Sequence, residues 1–504
     1  MTFPPDAIPK SISADELVVI VRRDLPAVLL DFIPAQRWFG GKDLRLTDVA
    51  VDDLSVRPRG DAWHVIAIVT VNVEGASAMR YLMPLFATPR RPASATILLE
   101  IESGNGQWFL SDAVTVPSFL TWLLDEVSTG AIWLTEKGRF TWTVEGRLDR
   151  YLAAAYTRPP RVGTAEQSNT SVIFGDALFL KLFRRLRPGH NPDEEISRFL
   201  SYQTSFRHLP RLMATGDYQT GDAPPVGIAI VQTFMPSIGD GWSWLLGNLT
   251  SMATLSRVDP SVAAAGLLGT RTGELHQALA SAPDDEVFQA ERISRDDVAG
   301  WTVTTTTAVS DVWQALLQHR KRMPRQAVRM LEAIEPNLPA LRRRAAGHAE
   351  LIDHLKIRVH GDYHLGQTLR TVDDDWIILD FEGEPARTIE ERRAKTSPLK
   401  DVAGMRRSFA YARATAVRSR EGDRTAEQIL ARWEGAAEAA FLAAYRSAVA
   451  AMHGLVPAED RAFARALAAW ELDKLLYEVQ YEMSNRPEWL EIPLSALLRL
   501  SQGD

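Results

Sequence analysis

Two short segments hold the densest chemistry in this chain: His360-Gly361-Asp362-Tyr363-His364-Leu365-Gly366-Gln367 and Asp380-Phe381-Glu382-Gly383-Glu384-Pro385. Asp362 offers a carboxylate that can orient an attacking hydroxyl and accept its proton. Gln367 offers an amide oxygen from the far end of the same loop, and Asp380 a carboxylate after the apolar run Trp376–Leu379. Oxygen donors of this kind suit Mg²⁺. Phosphoryl transfer asks for this set, because the protein there mostly positions reactants and neutralises charge. Either aspartate alone would more often be a turn residue beside a glycine. Both together, joined by strand, turn and strand, point to catalysis. Glu382 adds a third acid, for the metal or the acceptor. His364 reads first as a loop stabiliser and second as a neighbour of metal and substrate.

A second constellation lies upstream. Lys181 sits between Leu180 and Leu182 on a strand, so it faces away from both. A lysine on that apolar face is costly unless a carboxylate or a phosphate meets it. The other reading is an edge-strand lysine reaching solvent. The helix opening Asn191-Pro192-Asp193-Glu194-Glu195 supplies acids, and spacing does not separate Glu194 from Glu195. Glu166-Gln167-Ser168-Asn169-Thr170-Ser171 carries hydroxyls and amides that suit phosphate oxygens, and reads equally as a polar hairpin. No G-x-x-x-x-G-K-[ST] phosphate loop is present. Trp38-Phe39-Gly40-Gly41-Lys42 lacks its upstream glycine and reads as packing, and Trp242 and Trp244 read as core or cleft wall.

A third group lies near the C-terminus. Lys474, Tyr477, Glu478, Tyr481 and Glu482 follow the i, i+3, i+4, i+7, i+8 spacing of one helical stripe. Aromatic rings can cover a sugar's C–H face while charged groups bond its hydroxyls. An amphipathic helix with i,i+4 ion pairs has the same spacing.

The elements that position these groups follow from pattern. A helix over 13–32 starts at Ser13, with Asp15 and Glu16 in its first turn. Alternating strands follow at Trp63–Val71 and Ala95–Ile101. Arg158-Pro159-Pro160-Arg161 reads as a linker or turn. Val172–Phe174, Leu178–Phe183 and Val226–Phe234 read as strands of a small sheet carrying one helix. After residue 240 the pattern is helical and alanine-rich. It breaks between Lys356 and Pro385, with short strands at Ile357–Val359, Gln367–Thr371 and Trp376–Leu379, and Asp373–Asp375 at a turn.

Composition sets the outer limits. The chain has 504 residues, 46% of them hydrophobic and 24% charged, which leaves room for a large core. The net charge of −7 argues against bulk binding to nucleic acid or to an anionic membrane. Without cysteine there is no disulfide, thiolate metal site or cysteine nucleophile. No apolar run approaches the ~20 residues of a membrane span, and no signal peptide is visible, so a cytoplasmic location is expected.

The loop from His360 to Gln367 with Asp380–Pro385 resembles the aminoglycoside-phosphotransferase-like kinases, and among them the maltokinases. The resemblance extends to Gln36–Lys42, to Ser397–Phe409 and to Tyr477-Glu478 with Asn485-Arg486-Pro487. It implies an α+β, bilobal protein-kinase-like fold with an N-terminal cap subdomain (1–135), a nucleotide-binding small lobe (136–240) and a mainly helical C-terminal lobe (241–504). It implies ATP and Mg²⁺ as cofactors, Asp362 as catalytic residue, and Gln367 and Asp380 as metal ligands. Nucleotide would meet Lys181, its partner Glu195, the segment Gln167, Ser168, Asn169 and Thr170, and the hinge at Gln232 and Met235. Substrate would meet His364, Glu382, Lys474, Tyr477, Glu478, Tyr481 and Glu482. Asp401 would anchor the catalytic loop or cap its own helix. The implied reaction gives maltose 1-phosphate from maltose, within trehalose and α-glucan metabolism, with a metabolic link to trehalose synthase. Rival expectations are a kinase for glucosamine, another aminosugar or an aminoglycoside, with Glu382, Glu384, Glu478 and Glu482 receiving a cation. A nucleotide-binding pseudokinase and a non-catalytic sugar-binding scaffold complete the alternatives.

Overall fold

A computed structural model describes residues 12–41, 44–93, 95–104, 106–163, 168–255, 259–420 and 422–502. The chain forms two compact units. One is Met1–Arg198 with Pro210–Met235, and the other is Phe199–Leu209 with Pro236–Asp504.

The first unit begins with the helix Ala14–Phe32, capped as its sequence predicts: the Ser13 hydroxyl accepts from the Glu16 N–H at 3.1 Å. Leu17, Val21, Leu25 and Leu29 recur every four residues and form its buried stripe. That stripe packs on an antiparallel sheet with spatial order Leu46–Arg59, Ala62–Val73, Met79–Thr88, Gly106–Asp112, Ile97–Ser103. The period of two divides the strand residues between two cores. Val65, Ala67, Val69 and Val71 face the helix side. Ile66 and Ile68, with Leu82 and Phe86 of the next strand, face the other way.

That other face shares its core with a second antiparallel sheet. Its order is Ile132–Leu134, Gly138–Val144, Leu212–Thr220, Val226–Thr233, Leu178–Leu182, Thr170–Phe174, Arg161–Val162. Trp133, Phe140, Trp142, Val172, Leu180 and Val231 join the same apolar cluster as Ile66 and Phe86. Two buried polar groups tie the sheets. The Asp53 carboxylate accepts from the Thr135 hydroxyl at 2.5 Å and from the Tyr218 hydroxyl at 2.6 Å. The fully buried Arg184 donates to the Leu82 carbonyl at 3.1 Å and to the Thr170 hydroxyl at 2.8 Å.

The second unit is helical around one small sheet, Ser237–Asp240, Thr368–Thr371 and Trp376–Ile378. The break in the helical pattern between Lys356 and Pro385 is therefore present. The expected strand Ile357–Val359 is reduced to a two-residue strand, Leu355–Lys356, and a single bridge from Ile357 to Thr396. Residues 357–359 lead into the loop at His360 instead of pairing along a neighbour. The helices Gly241–Leu255 and Asp259–Leu279 pack on that sheet, Arg424–Val449 packs along Asp259–Leu279, and Leu399–Arg418 and Arg295–His319 pack on Asp460–Asn485. No helix among the described residues is long and apolar enough to cross a membrane.

Candidate active site

The loop at His360–Gln367 is held from several sides within the second unit. Asp401 accepts from the backbone N–H of His360 at 2.8 Å and of Gly361 at 2.9 Å. Its carboxylate also meets His276 Nε2 at 3.1 Å. Burial alone would raise Asp401, but His276 and the loop N–H groups outweigh it and keep the carboxyl below its usual range. Asp401 thus anchors the loop. It does not cap its helix, which begins at Leu399 with no side-chain cap.

His360 carries the anchoring onward. Its Nε2 lies 3.0 Å from the Leu379 carbonyl, next to Asp380, and its ring meets Phe381 at 5.1 Å. Gly404 lets the helix approach, because a Cβ there would stand 2.6 Å from the Tyr363 carbonyl. Gly361, at φ 85°, takes a backbone conformation that side chains disfavour. Asp380 takes a similar one, φ 68°, without being glycine. Such strain persists only where the surroundings impose it, and it clusters at functional positions.

The two expected metal ligands stand side by side: Gln367 Nε2 donates to Asp380 Oδ2 at 2.7 Å. Lys474 reaches the loop from the helix Asp460–Asn485 and bonds both Asp362 Oδ1 and Glu384 Oε1 at 3.2 Å. Burial alone would lower Lys474, and the carboxylates of Asp362 and Glu384 hold it above the ordinary lysine range instead. Burial alone would raise Glu384. Lys474, Lys400 and Arg387 reverse that and bring it to about 2.

In the first unit, Lys181 is 3% exposed, with Nζ 2.9 Å from Asp193 Oδ2 and 5.6 Å from the Phe183 ring centre. The solvent-reaching alternative for Lys181 is excluded. Asp193, two residues before Glu195, is a carboxylate that the sequence did not single out. Glu194, the competing choice, turns to Arg198 at 2.8 Å, four residues along its own helix. Glu195 is half-buried on the next position of that helix. Ser168 is exposed, and Asn169 donates to it at 3.3 Å. Gln167, Glu166 and Lys42 lie outside the described residues. The Thr170 hydroxyl is already engaged by Arg184. Gln232 points inward to Ser197 Oγ at 3.3 Å, and Met235 ends the first unit.

Several expected substrate groups are committed to the protein itself. Glu478 is buried and bonded to Arg407 at 3.0 Å, and Glu482 accepts from Tyr411 at 3.0 Å and Arg486 at 2.7 Å. The stripe exists, but its acids face neighbouring helices, because the helix is packed on that side. His364 Nδ1 accepts the Gly366 N–H at 3.0 Å, the loop-stabilising arrangement, and burial lowers its basicity. Glu382 is half-buried and its carbonyl accepts from Arg392 at 3.3 Å. Tyr477 and Tyr481 keep stacked rings 6.4 Å apart. Trp38 and Phe39 are buried against Tyr81, which is packing, and the half-buried Trp244 meets Trp376 edge-on.

Sequence reasoning missed Asp193, His276, Arg407 and Asp473. Asp193 had a signal, since it shares its helix start with Glu194 and Glu195. The other three carry no local pattern.

Two-lobed architecture, a helical second lobe and a loop-borne carboxylate anchored by a buried aspartate define a protein-kinase-like fold. Solved glucosamine kinases share it. One crystal form aligns with TM-score 0.65 and 23% identity, over 93% of this chain and 97% of that one. A glucosamine kinase in complex with glucosamine, ADP and inorganic phosphate aligns with TM-score 0.64 and 22% identity, over 94% and 98%. At sequence level the chain is similar to glucosamine kinase of Mycolicibacterium smegmatis, 29% identical over 346 residues, 68% of this chain and 80% of that protein. It is equally similar to glucosamine kinase of Streptacidiphilus jiangxiensis, 29% identical over 353 residues, 69% of this chain and 74% of that protein. No family model matches the chain.

Proposed function

We propose that this protein is an ATP-dependent sugar kinase and that its acceptor is an aminosugar of the glucosamine type. The observation that carries the reaction class is the Asp362 carboxylate, held by Lys474 on a loop anchored through Asp401. The 29% identity to two glucosamine kinases supports the acceptor class.

In this reading Asp362 receives the acceptor hydroxyl on the oxygen that Lys474 does not hold, orients it and takes its proton. Gln367 and Asp380 fit an oxygen-ligated cation, because an amide oxygen and a carboxylate are hard donors and the two side chains stand side by side, 2.7 Å apart. Bound Mg²⁺ would neutralise phosphate charge there. Lys181, paired with Asp193, serves the nucleotide phosphates, and Glu195, Ser168 and Asn169 belong to the same nucleotide side. The adenine is assigned to the Gln232–Met235 hinge.

Maltose is the second reading. The stacked Tyr477 and Tyr481 rings favour it, as a platform for a second sugar ring. The expected link to trehalose synthase belongs to that reading only. A coupled ADP-release assay with Mg-ATP and glucosamine, glucose, maltose or kanamycin separates the readings. Glucosamine is expected to give the highest kcat/KM. A higher value for maltose would replace the first reading by the second, and no ADP release with any acceptor would sink both.

A further inference from the structure

The second unit contains a cavity of about 230 Å³, bordered by Gly361, Gly383 and Glu384 on one side and by Trp301, Trp470 and Asp473 on the other. We propose that this cavity receives a single sugar ring and that Asp473 binds the ring's amino group. The proposal rests on the kinase reading above and specifies its acceptor site.

Position comes first. Gly361 directly precedes Asp362, and Glu384 is linked to Asp362 through the shared Lys474 ammonium, 3.2 Å from each. A ring seated here would lie one residue from the candidate base. Size comes second. Pockets that enclose drug-sized ligands run roughly 300–1,000 Å³. A cavity of about 230 Å³ suits one ring better than two. Trp301 and Trp470, with ring centres 5.2 Å apart and planes at 61°, supply apolar walls for C–H faces.

Charge comes third. Lys474, Arg387 and Lys400 converge on Glu384 at 3.2, 3.4 and 3.7 Å. Lys395 is taken by Glu291 at 2.6 Å. Arg392 donates to the carbonyls of Pro385, Arg387 and Glu382. Glu391 closes the capping box with Thr388. Asp473 differs from all of these: among the described residues it makes no hydrogen bond and no ion pair within 4.0 Å. Burial raises its carboxyl even though Lys400, Arg387 and Lys474 stand nearby. The cations at the border thus have partners, and one acid lacks one. An ammonium brings that carboxylate a full opposite charge together with a hydrogen bond, which a neutral hydroxyl does not. That difference selects an aminosugar over the corresponding neutral sugar.

The test uses the full chain with Mg-ATP in the coupled assay, and calorimetric binding of sugars without nucleotide. Asp473→Asn is expected to raise KM for glucosamine about tenfold or more, as loss of a charged hydrogen bond implies. KM for ATP and for glucose should stay within about twofold, and Asp473→Glu should restore part of the loss. Equal changes for glucosamine and glucose, or an unchanged KM for glucosamine, overturn the proposal. Should Asp473→Asn not fold, the unaltered chain decides: N-acetylglucosamine, without the cation, must bind at least about tenfold more weakly than glucosamine. Equal binding of the two overturns the proposal. If the unaltered chain releases no ADP with any acceptor, the kinase reading fails. The calorimetric arm still decides this site, and glucosamine binding lost in Asp473→Asn supports it.

Discussion

Lys181 in the first unit is a buried cation and Lys474 in the second a half-buried one, and they are held differently. Lys181 projects from a strand and has the Asp193 carboxylate at 2.9 Å. Lys474 projects from a helix and divides itself between Asp362 and Glu384, 3.2 Å from each. A short pair holds a charge in place. A shared ammonium does more, because it sets two carboxylates relative to each other, and one of them is the candidate base. The strand lysine was legible from alternation alone. The helix lysine had a legible position, but its partners lie 112 and 90 residues away in sequence.

The largest effect is expected where the shared ammonium meets the loop. Asp362→Asn should reduce turnover with glucosamine and Mg-ATP by ~10²–10⁴, the usual worth of a general base. Its melting temperature should hardly move. Turnover near that of the unaltered chain would remove Asp362 from catalysis and leave Lys474 only a structural role.

Next comes the difference between the lysines themselves. Removing one partner of a buried ion pair costs about 3–5 kcal/mol, because the other charge is left uncompensated. Lys474→Met strips the ammonium from two carboxylates, so urea unfolding should place it at the upper end of that range. Lys181→Met should fall at the lower end. A larger loss for Lys181→Met would reverse the contrast drawn here.

The smallest effect is the pH dependence of stability, which divides into two windows. His64, stacked on Trp122 in the first unit, and His348, against Trp470 in the second, are both held at about 4 by burial. Their folded values lie below the ordinary 6.5, so the unfolded chain binds more protons between them. Stability is therefore present above about pH 6.5 and lost as pH falls toward 4. Glu384, held at about 2, acts in a lower window, with stability present above about 4.5 and lost as pH falls toward 2. Urea midpoints at pH 7, 5.5 and 4 should fall steadily in the unaltered chain. His348→Phe should flatten part of that slope, and an unchanged slope would show that His348 is not held neutral by its burial.

Much of the fold was readable in advance because it rests on local periodicity. The period of two in Ala62–Val73 assigns Val65 and Val69 to one core and Ile66 and Ile68 to another. The Ser13 cap, the helix opening at Pro192 and the break between Lys356 and Pro385 are likewise short-range signals. In the site, spacing brought out Asp362, Gln367 and Asp380 because all three lie within one loop–strand–turn–strand segment. The stripe Lys474–Glu482 was also real as geometry, but its chemistry was misread for Glu478 and Glu482. A helical stripe fixes which residues share a face. It does not fix whether that face meets water, a ligand or another helix.

The amino-acid sequence by itself determined where most of the long strands and helices fall and which loop carries the candidate carboxylate. Those depend on neighbours within a turn or a strand. Tertiary structure decided the rest. It put Asp193 on Lys181 and turned Glu194 toward Arg198, a choice among adjacent acids that depends on the rotation of one helix. It gave Glu478 to Arg407 and three cations to Glu384, and it left Asp473 facing a cavity with no partner among the described residues. Such assignments depend on how distant helices approach one another. A buried charge takes the nearest opposite charge that packing brings within reach, and that distance is written in no local pattern.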